Sequence, residues 1–131
     1  MKLLKLSTAL LALTMMLFTS CKSKSPKDLI VNKWKVTDVS GEGAKNMSDA
    51  EKKDMVNKVV MDLAKDGKCS MSGMGDTPKT GTYTLSDDGK TLNLTRDGDS
   101  KPTPQQINEL TADKLVITDG DSKMKITFSP K

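Results

Sequence analysis

The sequence predicts a mainly β protein, an antiparallel meander of about eight strands. Three observations predict it. Asp-Gly pairs recur at Asp66-Gly67, Asp88-Gly89 and Asp119-Gly120. They suit hairpins, because Gly accepts positive φ without a Cβ clash and Asp tolerates the left-handed region. The residues around these turns alternate at the period of two that a half-buried strand requires. Met61 and Leu63 stand against Cys69 and Met71, Tyr83 and Leu85 against Leu92 and Leu94, and Leu115 and Ile117 against Met124, Ile126 and Phe128. Finally, the connections are short, which makes sequence neighbours spatial neighbours.

Residues 1–20 read as an export signal, with a basic start in Met1-Lys2-Leu3-Leu4-Lys5, an apolar run from Leu6 to Phe18 and small residues at Thr19-Ser20. The run is too short, and too soon followed by Lys22 and Lys24, to stay in a membrane as a span. Phe18-Thr19-Ser20-Cys21 resembles the bacterial lipobox, which implies cleavage before Cys21 and a diacylglycerol on that cysteine. An ordinary secretory signal with an incidental cysteine is the alternative. Residues 21–28 then form a lipidated cysteine and tether, and residues 29–131 the domain.

Along the domain, Ser25-Pro26-Lys27-Asp28 matches a helix start, with Ser as N-cap and Pro at the first position, giving one turn into Leu29–Val31. Strand character follows over 32–39, with Trp34 and Val36 on one face and Lys33, Lys35 and Thr37 on the other. Trp34, the largest apolar side chain after the signal, is placed to plug one end of a core. Ser48-Asp49-Ala50-Glu51 opens a helix with a capping box, whose stripe is Met55, Val56 and Val59 while Lys52, Lys53, Asp54 and Lys58 stay wet. Strands are then expected over 59–65, 68–73, 80–86, 90–96, 103–110, 114–118 and 122–129, with Pro104 marking an edge or a strand start. Eight antiparallel strands with one wet face bury the other by closing into a barrel or folding into a sandwich, and closure also removes exposed edges.

Composition narrows the function. Losing residues 1–20 removes Lys2 and Lys5 and lowers the formal charge from +4 to +2, leaving 111 residues, enough for one domain with a modest core. No basic cluster interleaved with aromatics appears, which argues against nucleic acid. The chain has no histidine, so His-based triads, His metal sites and His general bases are excluded. The acids fall at turns, where Asp bonds the local backbone, and no catalytic pair stands out. Asp97-Gly98-Asp99 and Asp119-Gly120-Asp121 lack the spaced ligands of a calcium loop and read as plain turns. The sharpest chemical alternative is a Cu(I) site at Cys69, Met71 and Met74, since thiolate and thioethers are soft ligands. Against it, Cys69 and Met71 occupy the face needed for the core, and Met commonly fills irregular interiors. No cofactor and no resident metal are expected.

Gly81-Thr82-Tyr83-Thr84-Leu85, together with the segment Ile107-Asn108-Glu109-Leu110-Thr111-Ala112-Asp113-Lys114-Leu115-Val116-Ile117, the first-strand Trp34 and the final Phe128 strand, resembles the lipocalin-like lipoproteins common in Bacteroidota. Asn32 stands where lipocalins place Gly, and no long helix follows the last strand, so the resemblance is to the compact relatives. It implies an eight-stranded up-and-down barrel with one helix between strands 1 and 2, possessing an apolar pocket and no catalytic residue. An eight-stranded barrel either fills its interior with side chains or holds one small ligand. The side chains expected to point inward and line the pocket are Trp34, Met61, Leu63, Met71, Tyr83, Leu85, Leu94, Ile117, Met124, Ile126 and Phe128.

The expected protein is thus a monomeric, non-enzymatic binder of a small apolar or amphipathic molecule, held on the outer membrane by Cys21 and facing the periplasm. The rival is an envelope protein-interaction module, an inhibitor or assembly accessory, that uses a packed barrel as scaffold.

Overall fold

A computed structural model describes residues 24–131 as one closed barrel of eight antiparallel strands in sequence order. The strands are β1 (Asn32–Gly41), β2 (Val60–Leu63), β3 (Lys68–Ser72), β4 (Lys79–Leu85), β5 (Thr91–Arg96), β6 (Thr103–Leu110), β7 (Leu115–Asp119) and β8 (Met124–Pro130). Two helices accompany them, α1 (Pro26–Ile30) and α2 (Asp49–Lys58), with a 3-10 turn at Glu42–Ala44 that the pattern did not announce. The signal, Cys21 and the first residues of the tether lie outside the described residues. The expected tether is helical from Pro26 onward.

The predicted cross-strand pairs form. Met61 faces Met71 and Leu63 faces Cys69; Tyr83 faces Leu94 and Leu85 faces Leu92; Leu115 faces Phe128 and Ile117 faces Ile126. The barrel closes where β1 meets β8, through pairs running from Trp34 with Pro130 to Gly41 with Met124. The register of this seam shifts between Val36 and Asp38, and that between β6 and β7 shifts between Ile107 and Glu109. Each shift is a bulge, which adds a residue to one strand and sharpens the local twist that closure needs. It also resets which residues face inward. Thr37 and Asp38 both point outward and Val39 is buried, although simple alternation from Trp34 would have exposed Val39.

The Asp-Gly turns are not all of one kind. At Asp66-Gly67 and Asp88-Gly89 only the Gly has positive φ, +86° and +70°, while the Asp side chain accepts a hydrogen bond from the backbone N–H two residues on. At Asp119-Gly120 the positive φ falls on Lys123, at +57°, and not on the Gly. Here the chain makes a wider turn, with the Lys123 N–H donating to the Asp119 carbonyl at 3.2 Å. The Asp119 carboxylate holds this turn from within, so the third turn differs from the first two because its Asp side chain spans three residues.

Both helix starts follow the sequence. Ser25 caps α1 by accepting from the Asp28 N–H, and Ser48 and Glu51 form a reciprocal capping box on α2. The backbone and hydroxyl hydrogen bonds from Ser48 hold the Glu51 carboxyl below its ordinary value. α2 departs from the expected stripe, since none of its residues is fully buried. Met55 and Val56 are half-buried against the core, and Val59 is buried as the residue that ends the helix. Lys52, expected to be wet, is half-buried. α2 lies across an open end, where a helix covers without being enclosed.

The core fills the end of the barrel beneath α1. Trp34 is fully buried, and its indole N–H donates to the Ile30 carbonyl at 2.9 Å. That bond ties the plug to the helix that covers it. Leu63, Leu92, Leu115 and Phe128 pack in the same buried cluster. Replacing Trp34→Ala should cost about 3–5 kcal/mol, the range for truncating a fully buried large aromatic, measured as the shift in urea unfolding followed by circular dichroism. The milder Ser48→Ala should cost about 0.5–2 kcal/mol through loss of the α2 cap. A Trp34→Ala chain as stable as the wild type would show that this end is not the core.

Candidate functional site

The strand ends define two different mouths. At one, β1, β3, β5 and β7 begin and β2, β4, β6 and β8 finish, and α1 with Trp34 closes it. At the other, β1, β3, β5 and β7 finish, and only the 3-10 turn, α2 and loops stand around it. A cavity of about 440 Å³ opens there. Its walls come from β1 to β8 in turn, with Met47 and Met55 reaching over it from the segment between β1 and β2.

Sulfur dominates the lining. Of the nine methionines in the sequence, Met1, Met15 and Met16 lie outside the described residues, and the other six all line this cavity: Met47, Met55, Met61, Met71, Met74 and Met124. Cys69 lines it too, and Val36, Val59, Leu94, Ile117, Ile126 and Phe128 complete the apolar surface. Strand parity explains the convergence. Cys69 and Met71 are two apart on β3 and share its inward face, and Met61 is the direct partner of Met71 on β2. Met74 lies in the loop beyond β3 and is the exposed large apolar residue of the described chain, at 45%. Thioethers on unbranched, rotatable side chains can repack around occupants of different shape.

The predicted pocket residues therefore divide. Met61, Met71, Leu94, Ile117, Met124, Ile126 and Phe128 come together around the cavity. Trp34, Leu63, Tyr83 and Leu85 do not line it, because they sit toward the opposite ends of their strands. Trp34 and Leu63 are buried in the plugged end. Tyr83 and Leu85 are half-buried and border a shallower hollow against Ile30 and Val31 of the α1 region. The Tyr83 hydroxyl donates to the Ala64 carbonyl at 2.6 Å, and burial, with Asp66 nearby, pushes its pKa up.

The structure also contributes polar residues that the pattern did not single out. Lys79, Arg96, Thr103, Gln105, Asp119 and Ser122 line the cavity near its mouth. Gln105 was legible in principle, for it lies at the inward parity two residues before Ile107. From the sequence Asp119 reads only as a turn residue. Its carboxylate accepts from the Ser122 N–H at 2.8 Å, the Asp121 N–H at 3.1 Å, the Ser122 hydroxyl at 2.9 Å and the Gln105 amide at 2.7 Å. The Ser122 backbone bond first, then the Gln105 amide, hold its pKa down to about 2, so it stays ionised across the physiological range.

The three sulfurs weighed for copper, Cys69, Met71 and Met74, do reach one cavity wall. Burial, then the negative charge of Asp97, pushes the Cys69 thiol up, which favours the protonated form over the thiolate that a metal would need. Among the described residues no group of three or more Cys, Asp or Glu side chains is gathered to hold a metal ion.

Comparison with known proteins gives two likenesses. The family model described as a lipocalin-like domain matches residues 30–117. The crystal structure of a DUF4847 family protein from Bacteroides vulgatus ATCC 8482 superposes with a TM-score of 0.53 at 13% identity, covering 77% of this chain and 93% of that one, a likeness of fold alone. No curated protein matches the chain.

Asp119 yields a prediction about acid. Its pKa is lower in the folded chain than the ordinary 3.8. Its stabilising contribution is then complete above the unfolded value and is lost as pH falls toward about 2. The Asp119→Asn chain should show a shallower loss of stability than wild type over that window, measured by urea unfolding at successive pH values. Parallel curves would show that the carboxylate is not held in this way.

Proposed function

The chain belongs to the lipocalin-like domain family, and from that membership we propose that it is a non-enzymatic binder of one small apolar or amphipathic molecule, lipid-anchored in the cell envelope. The lipocalin-like barrel is a fold suited to a small ligand. One observation carries the reading: the interior is not filled. Packed side chains occupy the end beneath α1, while the other end keeps a cavity of about 440 Å³. Small-molecule pockets run from about 300 to 1,000 Å³, apolar with a few polar groups, and this lining has that composition.

The apolar surface gives affinity without shape selectivity. Burying ligand hydrocarbon against it contributes roughly 25 cal/mol for each Å² removed from water. Six thioethers let the wall adapt, so the protein should accept a set of related molecules and not a single one. Asp119 is engaged by four hydrogen bonds and is poised for no proton transfer. Lipidation of Cys21 supports the envelope assignment on the strength of the signal alone. In this reading the anchor faces the periplasm from the outer membrane, and the open mouth is where ligand enters and leaves.

The test is displacement of a neutral fluorescent probe, N-phenyl-1-naphthylamine, from the purified full chain by medium-chain alcohols and acids. Saturable probe binding, weakened at least about fivefold when Met61 and Ile117 are replaced together by Trp to fill the cavity, is expected, a loss of roughly 1 kcal/mol. Absence of saturable binding would remove the carrier reading and leave the barrel as a scaffold for an envelope protein partner. Separately, a metabolically supplied alkynyl fatty acid should label the wild-type chain and not Cys21→Ser. Equal labelling of both would exclude the anchor.

A further inference from the structure

Gln105 is the buried polar side chain of the described residues, 7% exposed on β6. It lies directly across from Asp119 on β7, and its Nε2 donates to Asp119 Oδ2 at 2.7 Å. A carboxylate held ionised has no proton to give, so the amide must turn its nitrogen toward Asp119 and its oxygen away. This bond decides the amide orientation on chemical grounds. No described residue donates to Oε1. Among the described residues no side-chain nitrogen or oxygen is both sealed from solvent and unpaired, so Oε1 opens on the cavity that Gln105 lines.

Three neighbours define what that oxygen can receive. The ionised Asp119, hydrogen-bonded to the same amide, disfavours a second carboxylate against it. Lys79 and Arg96, toward the mouth, make no ion pair among the described residues and disfavour a cation passing or resting there. Leu94, Ile117 and Ile126 line the same cavity and offer nothing to hydrogen-bond, while Thr103 and Ser122 bring hydroxyls to it, that of Ser122 already donating to Asp119. What remains is a neutral donor on an apolar body.

We propose that Gln105 Oε1 is the point of polar recognition in the cavity, and that the ligand is a neutral amphiphile whose hydroxyl donates to it while its hydrocarbon lies among the methionines. This rests on the small-ligand reading and adds to it the chemistry of the head group. Gln105 supplies specificity for a donor, and Asp119 is a positioning residue that fixes which end of the amide faces inward. An occupant without a donor would strip water from this oxygen and leave it unpaired, which is where the discrimination comes from.

Three probes of matched chain length separate the possibilities, each displacing N-phenyl-1-naphthylamine from the full chain: 1-decanol, decyl methyl ether and decanoate. Wild type should bind the alcohol about tenfold more tightly than the ether, the scale of one buried acceptor left unpaired. Gln105→Leu should abolish that preference while holding the ether within about twofold of wild type. Equal binding of alcohol and ether by wild type overturns the assignment without any variant, as does a preference that survives in Gln105→Leu. Decanoate binding most tightly, and losing that advantage in Arg96→Met, would also overturn it and move recognition to the cationic mouth. Failure of the probe itself to bind wild type would instead reject the small-ligand reading, so the two failures are distinguishable.

Discussion

The pairing of β1 with β8 is the constraint on which the rest depends. It joins the two ends of the described strands across most of their sequence length, and without it the meander would be an open sheet with two unpaired edges. Closure gives the alternating side chains a common interior, and the bulges in β1 and β6 bend the sheet far enough to achieve it. Gly81 shows how tightly the wall is drawn, since a Cβ there would stand 2.1 Å from the Thr95 carbonyl oxygen of the neighbouring strand.

Closure makes a tube, and unequal treatment of its two ends makes a site. One end is occupied by Trp34, tied by its indole to the last turn of α1. Leu63, Leu92 and Leu115 follow it in the core and are fully buried. At the other end the inward positions carry thioethers, a thiol and a few polar groups, and α2 lies beside them without sinking a residue. A buried core and an open, methionine-lined mouth thus occupy opposite ends of the same strands.

Much of this is legible in the sequence. The hairpin partners followed from alternation, the two helix starts from their caps, and the plugging role of Trp34 from its size. The cavity was less so. Trp34, Leu63, Tyr83 and Leu85 share inward parity with Met61, Met71 and Leu94, and parity reports which face of the sheet a residue occupies, not how far along the barrel axis it sits. Asp119 looked like one more turn aspartate, because a local pattern cannot show that its carboxylate also receives an amide from the neighbouring strand.

The sequence by itself determined the strands, their order, the capped helices and the inward-facing partners within each hairpin, since all of these rest on contacts between residues close along the chain. Only the tertiary structure decided that six methionines converge on one mouth, that Gln105 and Asp119 share its wall, and that Trp34 is tied to α1 at the opposite end. The reason is physical: depth within a barrel is set by the stagger of all eight strands around the closed circuit, and no single hairpin contains that information.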